Sequence, residues 1–229
     1  MTTKVQGDMY DIDGATVATV AAADKINFFD VTDSLVKEDT VQGILDLAGG
    51  GAWNLIGTQV GDNSGTTLTI TGLSSTYDTY AIGLSDLVPA SDGVGAWLRF
   101  GDSGGIDSGA SDYAFFSHGA QANDTTFSHV GGEDNADAQI ELVDTVNVNV
   151  GNAAGEGFGG MLYLHRPGDG TSRPTITGAV SFMQTNSTLA GQTVFGMRAA
   201  VITLDRVQFL FSGGNVVTGR MTVWGIAHA

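Results

Sequence analysis

Cysteine is absent from this chain and proline nearly so: its 229 residues include no Cys and only 3 Pro. Disulfides and thiolate metal sites are therefore excluded. The lack of Cys fits a protein that works outside a cell without redox help. Basic residues are also scarce, 9 Lys and Arg against 25 Asp and Glu, for a net charge of −16. Phosphate contacts need Lys and Arg, so no nucleic-acid partner is expected, and an anionic membrane surface is a poor partner too. No stretch approaches the roughly 18 apolar residues of a membrane span, so no membrane insertion is expected. Met1 to Tyr10 is polar and lacks the apolar core of a secretory leader. Histidine is limited to His118, His129, His165 and His228, with no HxH or HExxH spacing, so no metal centre is predicted from them.

What the chain does have is glycine. There are 34 Gly without a G-X-Y period, set between short apolar runs where turns form. Hydrophobic residues make up 42%, enough to argue against disorder. Lys4, Lys25 and Lys37 all fall early, whereas Arg99, Arg166, Arg173, Arg198, Arg206 and Arg220 follow. This shift, together with Gly49-Gly50-Gly51, predicts two modules: residues 1–50 and residues 52–229.

In the first module Ala15–Val20, Ile26–Val31 and Leu35–Lys37 read as short β runs. Thr40 caps an expected short helix over Val41, Ile44, Leu45 and Leu47. Phe28, Phe29, Ile44 and Leu45 are the candidate attachment or oligomer-contact residues.

The second module reads as many short strands. Thr67–Thr71 alternates polar and apolar, as a half-buried antiparallel strand does. Tyr80–Leu84, Ala96–Phe100, Tyr113–Phe116, Ala138–Val143, Thr145–Val150, Gly160–His165, Thr175–Met183 and Ile202–Leu204 follow. Val207–Phe211 and Arg220–Trp224 flank a glycine-rich connection and read as a closing hairpin. No helical period of useful length and no fixed repeat interrupts them. The expected fold is all-β: an antiparallel β-sandwich, jelly-roll-like, with a small N-terminal attachment module.

Candidate chemistry is sparse. Asp11-Ile12-Asp13-Gly14 has part of an EF-hand pattern, but Met9 and Val20 stand where ligands are needed. Glu133, Asp134, Asn135 and Asp137 form a denser acidic loop, readable as a solvated loop or as a Ca²⁺ site. Of the glutamates weighed for glycosidase chemistry (Glu38, Glu133 and Glu141), Glu141 sits in an alternating strand and is expected to face solvent. The nucleophile elbow G-x-S-x-G and the P-loop are missing. No catalytic residue and no cofactor is predicted. Trp53, Trp97 and Trp224 lie in strand-like runs and read as core, with sugar stacking as the alternative. Tyr77, Asp78 and Tyr113 are the candidate receptor-binding residues.

Three segments carry a resemblance. The closing SGGNVVTGRMTVWGI, with the aromatic-Gly pair Trp224-Gly225, is similar to the terminal strand pair of bacteriophage tail and fibre proteins. Leu68 to Gly105 and the run ADKINFFDVTDSLVKEDTVQGIL resemble strand-and-turn segments of the same proteins. The loops at His165-Arg166-Pro167 and Glu133-Asp134-Asn135 depart from that pattern. The resemblance implies a virion structural protein of the fibre type, a homotrimer. Residues 1–50 would contact other virion proteins, and residues 52–229 would be displayed toward a host surface glycan. Capsid decoration and a lectin-like carbohydrate-binding module are the rival expectations.

Overall fold

Short alternating runs cannot bury an apolar face alone, so they must pair and then stack. A computed structural model of the protein describes residues 23, 25–30, 35–41, 52–122, 131–144, 148–165, 167 and 169–227. The expected run Ala15–Val20, the EF-hand-like stretch, Ile44 and Leu45 lie outside the described residues, as do His129, Arg166 and His228. The chain divides into two compact units, Met1–Gly50 and Gly51–Ala229.

In the first unit β1 (Lys25–Asp30) pairs antiparallel with β2 (Leu35–Thr40), placing Phe28 opposite Lys37 and Phe29 opposite Val36. The Phe28 and Phe29 side chains are outside the described set. Lys25 and Glu38 form an ion pair across the two strands. Ile26, Leu35 and Val36 are exposed.

The second unit holds β3 (Trp53–Val60), β4 (Thr67–Thr71), β5 (Thr79–Pro89), β6 (Ala96–Asp102), β7 (Gly105–Ile106), β8 (Tyr113–Gln121) and β9 (Glu133–Asp137). It continues with β10 (Ile140–Val143), β11 (Phe158–His165), β12 (Thr175–Met183), β13 (Leu189–Arg198), β14 (Arg206–Phe211) and β15 (Val216–Ile226). One sheet has eight strands in the order β3-β15-β5-β11-β12-β13-β8-β9; the other runs β10-β6-β14-β4, with β7 added to β6. Every named strand pairing is antiparallel. The all-β, two-sheet expectation holds. The division into eight and five strands differs from a jelly roll of two four-stranded sheets.

Alternation decides what fills the space between the sheets. Leu162 and Leu164 of β11, Ile176 and Val180 of β12, and Tyr80 and Ile82 of β5 point inward from the large sheet and are buried. Leu98 and Phe100 of β6 meet them from the small sheet, with Val207 and Phe209 of β14. Phe158 of β11 stacks on Phe209 with centroids 5.7 Å apart, which ties the two layers directly. Burying one such ring contributes roughly 1.5–3 kcal/mol.

The closing hairpin is a correction. β14 and β15 do not pair: β14 lies between β6 and β4, and β15 between β3 and β5 in the other sheet. The Ser212–Asn215 connection crosses the sandwich, and the Ser212 hydroxyl accepts a hydrogen bond from the Gly95 amide at 2.9 Å. The apolar faces of both strands are still buried in the one core, but from opposite sheets rather than side by side. Ile202–Leu204 is likewise not a strand. It leads into β14, with Leu204 buried and its amide donating to the Pro167 carbonyl.

β13 and β9 were not anticipated. Gly191 and Gly196 interrupt β13 and mimic turn signals, yet a Cβ at Gly196 would lie 2.8 Å from Ile140 of the facing sheet. Close packing, not a turn, needs that glycine. The acidic EDNAD segment reads as a loop but pairs with β8 as the sheet's edge, where charges suppress further strand addition.

Candidate functional site

The residues singled out from sequence do not form one site. Tyr113 is a correction: it opens β8 facing the interior and is fully buried. Its hydroxyl accepts from the Phe100 amide at 2.7 Å and lies 3.0 Å from the Phe100 and Asp107 carbonyls, to which it can donate. Burial pushes that hydroxyl above the usual phenol range. Arg198, itself buried, lies over the Tyr113 ring at 5.7 Å and pairs with Asp107 at 2.8 Å and Asp112 at 2.9 Å. This cluster locks the end of β13 to the β7–β8 connection.

Tyr77 is half-buried. It packs edge-on against Tyr80 at 5.5 Å and lies flat over Gly225, where any side chain would collide with its ring. Asp78 is exposed. Three strands, β11, β12 and β13, stand between β5, which follows Tyr77 and Asp78, and β8, which carries Tyr113.

Glu133, Asp134 and Asp137 lie on β9, an edge strand rather than a loop. Asp134 accepts from the Ala136 amide at 2.8 Å, and Asp137 accepts from the Gln139 side-chain amide at 3.0 Å. Among the described residues no group of three or more His, Cys, Asp or Glu is placed to hold a metal ion.

Glu141 is a second correction. Its neighbours Ile140 and Leu142 are buried as expected, but Glu141 itself is half-buried opposite Trp97. Burial, followed by the nearby Asp144 and Asp137 charges, pushes its carboxyl up to about 7. Glu156, which the glutamate reading passed over, is also buried; it accepts from the Ala153 amide at 2.8 Å and so closes its own loop.

The feature sequence reasoning missed is the outer face of the eight-stranded sheet. Alternation sends half of each strand outward, and the register lines those residues up across the whole sheet. One row starts with Leu55 on β3, Trp224 on β15, Ala81 on β5 and Tyr163 on β11. It continues through Thr177 on β12, Phe195 on β13 and Phe116 on β8, and ends at Glu133 on β9. The flanking rows run from Thr58 to His118 and from Trp53 to Ala114, passing through Met161 and Ala179 in the first and Ile226 and Met197 in the second.

Several of these side chains are exposed apolar groups: Leu55 at 64%, Phe116 at 52%, Trp53 at 42% and Phe195 at 37%. Trp53 is therefore not core. It tilts against Trp224 at 5.7 Å and meets Tyr163 edge-on at 6.4 Å. Trp224 lies over Gly83, where a Cβ would come within 2.8 Å of the indole. Toward the other end Phe116 and Phe195 stack at 4.7 Å. Both line a groove of about 860 Å³ together with Ala114, Met197, Glu133, Asp134, Asn135 and Thr175. The signal was present in sequence as the outward half of each alternating run, but the register that aligns them was not.

No family model, curated protein or solved structure matches this chain.

Proposed function

We propose that this chain is a non-enzymatic structural component of a bacteriophage virion, of the surface-fibre type, which works by assembly and surface contact. The observation that carries this reading is the broad outer face of the large sheet: apolar, aromatic and nearly free of carboxylates in a chain of net charge −16. A face of that composition is built to be covered. The resemblance of Leu68–Gly105 and of the closing Ser212–Ile226 segment to phage fibre proteins supplies the virion context. On this reading residues 1–50 contact other virion proteins and the assembled unit is a homotrimer.

The test is to find the chain on purified particles by mass spectrometry, then place it by gold-labelled antibody. Label on fibres or tail is the expected result. Label spread evenly over the capsid would move the protein to the decoration class. Absence from particles would sink the virion reading.

A second reading is favoured by the groove beside Phe116 and Phe195. Aromatic faces flanked by Asp134, Asn135 and Thr175 offer stacking and hydrogen-bond acceptors of the kind neutral sugars take. Binding on a glycan array, lost in Phe195→Ala, would support it. The two readings compete for the same face.

A further inference from the structure

We infer that the outer face of the eight-stranded sheet is an interface with a second copy of this chain. The inference rests on the assembly reading above and names the surface that carries it.

Charge is the first argument. The chain has 25 acidic residues, yet across the three outward rows the only carboxylate is Glu133, at the β9 edge. The rest of those rows is Thr, Ala, Gly, Met, His and large apolar or aromatic side chains, without Lys or Arg. A basic partner would be met by acids, and an anionic one by Lys and Arg; this face holds out neither. Two copies each carrying −16 repel at every acidic surface, and a face cleared of carboxylates is where they can approach. Glu133 closes the central row on edge strand β9, which also carries Asp134, and exposed Arg220, opposite Val60, lies one row beyond Thr222. They rim the patch as charges rim an interface core.

Area is the second argument. With the strands about 4.8 Å apart and each row about 6.7 Å wide, the eight residues of the central row and the seven of each flanking row cover roughly 700 Å² before side-chain relief is counted. A stable pair of proteins buries about 800 Å² on each partner. The patch is thus close to a full interface, and far wider than one sugar needs. Its apolar content resembles the more hydrophobic interfaces of homo-oligomers.

The experiment is light scattering on the full chain, parent and variants, at low and high salt. Phe195→Asp and Tyr163→Asp place a carboxylate in the middle of the face. Thr71→Asp places one on β4 of the other sheet as a control. Circular dichroism and thermal melting confirm that each variant is folded.

The parent is expected at a multiple of 23.6 kDa. Phe195→Asp and Tyr163→Asp are expected to fall to the single-chain mass, while Thr71→Asp keeps the parental mass. Two chains would mean the face packs on itself about a two-fold axis; three would mean it packs on a different patch of its neighbour. Either supports the inference. Association should strengthen with salt, because salt screens the repulsion and leaves apolar burial intact. A single-chain mass for the parent overturns the inference. So does an oligomer unmoved by Phe195→Asp and Tyr163→Asp together, and so does a glycan-array signal lost in Phe195→Asp at unchanged mass. None of these outcomes depends on finding the chain on particles, so the interface and the virion reading fail separately.

Discussion

At the scale of single residues, buried Arg198 and half-buried Glu141 tie stability to charge in opposite ways. Arg198 is buried with both of its carboxylate partners only partly screened. Replacing it with Met leaves Asp107 and Asp112 without their cation and the Asp112 carbonyl without the guanidinium donor at 2.9 Å. The expected loss is about 3–5 kcal/mol, read from urea unfolding. Arg198→Lys should recover only part of it, because an ammonium cannot reproduce the fork.

Glu141 works in the opposite sense. Its folded pKa of about 7 lies above the ordinary 4.5 because burial, then Asp144 and Asp137, disfavour the anion. The favourable contribution of its protonated form is complete below about pH 4.5 and is lost as pH rises through 7. Glu141→Gln should therefore melt above the parent at pH 8, with the gap closing by pH 4.5. A gap independent of pH would show that the side chain is solvated.

At the scale of elements, the sandwich is held by contacts that cross between layers. Phe209 of β14 is fully buried, stacks on Phe158 and meets Phe211 edge-on at 5.0 Å. Truncating it opens a cavity where three rings meet. Phe209→Ala should cost about 3–5 kcal/mol by chemical denaturation. Phe116→Ala, on the exposed side of β8, should cost far less in the free chain, and a comparable loss would mean its face is already covered. The Trp224-Gly225 pair noticed at the end of the chain has a physical account at this scale. Trp224 covers Gly83 of β5 while Gly225 makes room for Tyr77, which precedes β5, so β15 is held on one face by β5 and on the other by the turn leading into it.

At the scale of the whole molecule, charge governs association. The −16 charge opposes association at neutral pH, and it vanishes near the pI of about 4.2. Lowering the pH from 8 toward 4.2 should tighten association reversibly, shifting dilute chains to the same discrete mass if one face is used. Disordered precipitation without discrete masses would instead mean that repulsion was the sole control and no face was selective.

Much of this was legible without coordinates. Thr67–Thr71 and Thr175–Met183 match β4 and β12 residue for residue, because strict alternation is a local property that burial of one face imposes. The all-β class and the absence of helix from the second unit's strand runs follow from the same periodicity. What sequence could not supply was pairing. Val207–Phe211 and Val216–Ile226 are neighbours in the chain, yet they lie in different sheets, because β4 and β6 satisfy β14 and leave β15 to β3 and β5. Tyr113 could not be told from a surface tyrosine, since its burial comes from Phe100 and Arg198 at distant positions. The aromatic row from Leu55 to Phe116 is assembled from seven strands and exists only in register. Periodicity determines which half of each strand is apolar. Which of those halves end up inside, and which line up on an open face, is decided by long-range hydrogen bonding between strands, which no local pattern encodes.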